Sequence, residues 1–96
     1  MKGEATEKVS GGKLLVIKTE YDSKIHHVQI LGDFFAHPEE SIEEIEAMLC
    51  GIDVSFDENK VKKLLDSLLV EKNYELIGLD VESIVRVLKK SIEAKE

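Results

Sequence analysis

Ile30-Leu31-Gly32-Asp33-Phe34-Phe35-Ala36-His37-Pro38-Glu39-Glu40 is the stretch on which the fold turns. Before it, apolar residues recur every second position, the period of a strand. After it, Ile42, Ile45, Met48 and Leu49 recur every third or fourth position, the period of an amphipathic helix. Gly32 and Asp33 supply turn chemistry between the two regimes. Pro38 suits a first helical position, where its missing N–H costs nothing. Glu39, Glu40, Glu43 and Glu44 load the turns where the helix dipole favours negative charge, and Gly51 is a natural C-terminal cap.

Towards the N-terminus, Ile25 to Leu31 reads as a strand. Strict alternation puts Ile25, His27 and Gln29 on one face and His26, Val28 and Ile30 on the other. The polar turn Tyr21-Asp22-Ser23-Lys24 joins it to a strand over Lys13 to Tyr21, and the short connection implies an antiparallel hairpin. The run Leu14-Leu15-Val16-Ile17 suits a strand buried on both faces or covered by a helix. Residues 1–10 read as a flexible N-terminal arm, closed by Gly11-Gly12, so that residues 11–96 form a single domain.

Towards the C-terminus, Asp57 and Asp80 are expected helix N-caps. The pairs Phe56/Val61 and Leu79/Ile84 stand at the positions of hydrophobic staples. Val61, Leu64, Leu65, Leu68 and Leu69 give one apolar helical face, which Asn73 ends. Val81, Ile84, Val85, Leu88 and Ile92 give another. Tyr74 to Leu79, interrupted by Gly78, reads either as a short third strand or as an extended connector. The expected fold is α+β: a small antiparallel sheet with about three helices packed on one face.

Ninety-six residues allow one modest core. The net charge of −7, with a single arginine, Arg86, argues against nucleic acid and against an anionic membrane surface. It would steer the chain towards a basic partner. One cysteine, Cys50, excludes an internal disulfide and fits a reducing compartment. No apolar run approaches the ~20 residues of a membrane helix, and the expected location is cytoplasmic.

Catalytic signatures are missing. His26 and His27 are adjacent in a strand and would diverge. Neither Cys-x-x-Cys nor His-Glu-x-x-His occurs, and a metal enzyme built on Asp33, His37 and Cys50 is the least supported reading. Cys50, at a helix C-terminus, has the wrong dipole end for a nucleophile and reads as a half-buried structural residue. There is no Gly-x-Ser-x-Gly elbow, no Walker lysine and no dinucleotide fingerprint. Phe34 and Phe35 follow a turn, so their rings can diverge, one inward and one outward. An exposed aromatic beside Asp33 is a docking element.

Gly11-Gly12-Lys13-Leu14, then Ile30-Leu31-Gly32-Asp33-Phe34-Phe35, then an acidic helix ending in Leu49-Cys50-Gly51 together resemble the small C-terminal accessory domain of lipoate–protein ligases. That resemblance is specific through about residue 51 and implies a scaffold-type α+β fold. It also implies a non-catalytic accessory subunit that binds a large catalytic subunit and enables ATP-dependent activation of lipoate to lipoyl-adenylate. Lipoate and ATP would belong to the complex, with no cofactor held by this chain alone. The proteins that accept the lipoyl group would be indirect partners. Gly11, Gly12, Lys13, Asp33, Phe34 and Phe35 are the expected partner-binding residues. The alternative is a free-standing interaction adaptor of the sulfur or iron–sulfur assembly type.

Overall fold

A computed structural model describes residues 1–9 and 12–93. A three-stranded antiparallel sheet has the spatial order β1 (Lys2–Val9), β2 (Lys13–Tyr21), β3 (Ile25–Gly32). There follow β4 (Phe35–His37), α1 (Glu40–Leu49), α2 (Glu58–Lys72), β5 (Glu75–Ile77) and α3 (Val81–Glu93). β4 and β5 pair antiparallel as a separate two-stranded ribbon. The α+β class is as the sequence implies. No helix among the described residues is long and apolar enough to cross a membrane.

Residues 2–9, expected as a loose arm, instead form β1, paired with β2 from Lys2↔Glu20 to Val9↔Lys13. The reason is an alternation of small and apolar residues rather than of large ones. Gly3 and Val9 are buried, Ala5 and Glu7 half-buried, while Lys2, Glu4, Thr6 and Lys8 face out. Small side chains let α3 lie close across the strand. A β-carbon on Gly3 would collide with the Ser91 carbonyl. Glu7 ties the two elements with ion pairs to Arg86 at 2.9 Å and Lys90 at 3.0 Å.

β2 is the central strand. Leu15, Ile17, Thr19 and Tyr21 point inward and are buried, whereas Leu14 is exposed and Val16 half-buried. The strand is therefore covered on one face only. Its inner face meets α3 through polar as well as apolar contacts. The Thr19 and Ser91 hydroxyls lie 3.2 Å apart, and Tyr21 donates to the Ile92 carbonyl at 2.9 Å. Ile84, Val87 and Leu88 of α3 are fully buried, each contributing about 1.5–3 kcal/mol by leaving water.

Strict alternation fails in β3. Ile25 pairs with Tyr21 but His27 pairs with Glu20, which leaves His26 as an extra, bulged residue. The bulge turns both Ile25 and Val28 inward and leaves His26 and His27 both exposed. On the open edge of β3, the Ile30 N–H donates to the Glu46 carboxylate of α1 at 2.7 Å. That contact fixes α1 beside the sheet and satisfies a backbone donor that lacks a strand partner.

α1 begins at Glu40, two residues later than Pro38, which precedes the helix across a cis peptide bond. Its first turn is closed by the Pro38 carbonyl, which accepts from the Ser41 N–H at 3.0 Å and hydroxyl at 2.6 Å. α2 starts and stops where the sequence places it. Asp57 accepts from the Asn59 and Lys60 N–H groups, and Asn73 ends the helix in the left-handed conformation. Asp80 accepts from the Ser83 N–H at 2.7 Å at the head of α3. Phe56, Val61, Leu79 and Ile84 are all buried, as staples require.

Candidate partner-docking corner

The turn after β3 is made by a close approach. The Asp33 N–H donates to the Leu14 carbonyl at 3.1 Å, and a β-carbon on Gly32 would collide with that same oxygen. It would also press the Phe34 ring at 3.0 Å, so only glycine fits between Leu14 and Phe34. The chain leaves this turn as β4, an extended segment that the sequence reading did not foresee. Extended geometry settles the divergence of the two rings. Phe34 packs, half-buried, against the hydrophobic core, and Phe35 is 68% exposed. Ala36, next along β4, points inward and is buried.

β5 resolves the ambiguity of residues 74–79: it is a strand, but it joins β4 instead of the main sheet. Its register sets Phe35 opposite Ile77, Ala36 opposite Leu76 and His37 opposite Glu75. One face of the ribbon is anchored by Ala36 and Leu76. The other presents Phe35, Ile77, His37 and Glu75, all exposed. Ile77, 45% exposed, belongs to this surface and was missed in the sequence, where Gly78 obscured the alternation of Glu75-Leu76-Ile77.

Of the residues expected to bind a partner, the structure gathers four. Lys13, Asp33, Phe34 and Phe35 line one open concavity together with Gly32. Lys13 runs along Gly78 at the end of β5, so β2, the β3–β4 turn and β5 converge here. Gly12 stands exposed at the head of β2 with a φ of 77°. Gly11 lies outside the described residues. A second concavity beside the first is lined by Phe34, Phe35, Ala36, His37, Glu39 and Ile42. The acidic start of α1 thus borders the exposed ring.

Cys50 is exposed, not half-buried, and its thiol donates to the Glu46 carbonyl at 3.4 Å. His37 and Cys50 flank the ten-residue α1, which separates them by about 15 Å along the helix axis. No group of three or more His, Cys, Asp or Glu residues able to hold a metal occurs among the described residues. The perturbed titrations have local causes away from the corner's concavities. Hydrogen bonds from His26 and the Lys24 N–H hold Asp22 at about 2. The Ser55 N–H and hydroxyl lower Asp53, and Lys90 with Arg86 lowers Glu7. The Glu44 carboxylate beside Tyr74 raises that phenol.

Comparison with known proteins gives this geometry a context. Comparison with curated proteins found no match. Among solved structures, the chain is similar to one from Thermoplasma acidophilum, described as an archaeal lipoylation system comprising a bi-partite lipoate protein ligase and its E2 lipoyl domain. The TM-score is 0.75 at 25% identity, over 92% of this chain and 94% of that one. The family model for the C-terminus of bacterial lipoate protein ligase matches residues 2–88. The span takes in β1 and most of α3, hence the whole sheet and the corner, and on that ground the chain belongs to the lipoate protein ligase C-terminus family.

Proposed function

We propose that this chain is the non-catalytic accessory subunit of a lipoate–protein ligase. It binds the large catalytic subunit and enables that subunit to activate lipoate with ATP, giving lipoyl-adenylate for protein lipoylation. Lipoate and ATP are held in the complex and not by this chain alone, and lipoyl-acceptor proteins are partners of the assembly. Gly11, Gly12, Lys13, Asp33, Phe34 and Phe35 form or support the contact.

The observation that carries the reading is the corner itself. In a chain of this family, an aromatic ring stands in solvent on a short ribbon whose other face is anchored in the protein. Large apolar side chains held rigidly at the surface are the usual anchors of protein interfaces. The test is adenylate formation by the purified large subunit, measured as lipoate-dependent pyrophosphate release, with and without this chain. The expected result is a rate that depends on the chain and saturates at one equivalent. Equal rates in its presence and absence defeat the proposal.

A further inference from the structure

Four exposed large apolar residues, Leu14, Leu31, Phe35 and Ile77, lie in or next to the segments that converge on the Gly32–Phe35 turn. Phe35 and Ile77 are directly opposed across the β4–β5 ribbon, so their side chains share one face. Their surroundings carry a charge bias. Asp33 shares a concavity with Phe35, Glu39 lines the next one, and Glu75 neighbours Ile77 in β5. Against these three carboxylates stand Lys13, which lines the first concavity, and the imidazole of His37, which lines the second.

We infer that this corner docks an apolar recess rimmed by Lys or Arg on the large ligase subunit, with Phe35 and Ile77 at the centre and Asp33, Glu39 and Glu75 as the acidic rim. The inference rests on the accessory-subunit reading and sharpens it. It moves the contact outward, adding Ile77 and the carboxylates and leaving Phe34 as support. Charge complementarity selects the occupant: an acidic rim on an acidic chain repels a second copy of itself and attracts a basic surface. The aromatic supplies area with few rotatable bonds to immobilise, which is why such residues dominate binding energy.

Calorimetric titration of the purified cognate large subunit with this chain tests it, at low and at raised salt. Phe35→Ala and Ile77→Ala are each expected to weaken binding about tenfold or more. The double change Glu39→Lys with Glu75→Lys weakens binding at low salt and flattens its salt dependence. Val70→Asp on α2, at a position 82% exposed, leaves binding unchanged. Thermal melts of each variant establish that it is folded. The inference is overturned if Phe35→Ala and Ile77→Ala bind within twofold of the parent, or if the charge reversal tightens binding. Adenylate formation with the parent chain keeps the two levels apart. Dependence on the chain combined with undiminished binding by both variants overturns this surface alone, whereas no dependence overturns the accessory role.

Discussion

Replacing Gly3 with alanine tests whether the N-terminal segment is part of the fold. In the structure a β-carbon there overlaps the Ser91 carbonyl oxygen, with the carbonyl carbon at 2.8 Å and Thr19 Oγ1 at 3.2 Å. The two nearest obstructing atoms are helix backbone and cannot rotate aside, so α3 must lift from β1. That movement strains the Thr19–Ser91 and Tyr21–Ile92 contacts just beside it. Overpacking of this kind costs about 1–3 kcal/mol. The same change restricts the unfolded chain and returns about 0.4–1 kcal/mol. A net loss of about 1.5 kcal/mol lowers the melting temperature of a domain this size by roughly 6–12 °C. Differential scanning calorimetry reads the shift directly. Hydrogen exchange adds a residue-level check. The Tyr21 N–H donates to the Met1 carbonyl and the N-terminal ammonium donates to the Tyr21 carbonyl, so by ladder alternation the Gly3, Ala5 and Glu7 amides face β2 and should be protected. A loose arm predicts the opposite on both counts, and an unchanged or raised melting temperature with fast exchange at these amides would refute the strand.

The two phenylalanines should separate cleanly in denaturant unfolding: Phe34→Ala costs about 1–3 kcal/mol because its ring packs on the core, and Phe35→Ala stays within about 0.5 kcal/mol. Glu7 gives a pH signature. Hydrogen bonds to Lys90 and Arg86 hold its folded pKa below the ordinary 4.5, so its stabilising contribution is present above that value and is lost as pH falls through the lowered one. Melting temperatures of the parent and Glu7→Gln should therefore differ at pH 7 and converge in acid; a constant gap would mean that the ion pairs contribute nothing.

The bounds of α2 and the start of α3 were readable because their signals are local. Asp57, Asn73 and Asp80 act through hydrogen bonds or backbone conformations within a few residues, so the sequence around each is sufficient. β1 was not readable in the same way. Its inward residues are Gly3, Ala5, Glu7 and Val9, which score poorly as a strand until α3 lies across them. What selects them is proximity to a helix more than seventy residues away, visible only as Gly3 under Ser91 and Glu7 between Arg86 and Lys90. The bulge at His26 is likewise tertiary. Ile25 is held to the segment after α1, its N–H donating to the Ile52 carbonyl and its carbonyl accepting from Gly51, and this pulls the strand out of simple alternation.

The corner shows how the same distinction shapes a binding surface. Adjacent rings after a turn imply divergence, but which ring goes inward depends on what pairs with the segment. Pairing with β5 makes residues 35–37 extended, and burial of Ala36 on the inner face then forces Phe35 outward. Alanine lets the ribbon sit close and leaves Phe35, beside Ile77, as a large apolar group on the outer side. Exposure of that ring is thus a consequence of how the ribbon is anchored, not of local propensity. It follows that disrupting the ribbon should affect docking without touching the interface. A change at Leu76, which faces inward opposite Ala36, alters the presentation of Phe35 and Ile77 while every surface side chain is retained.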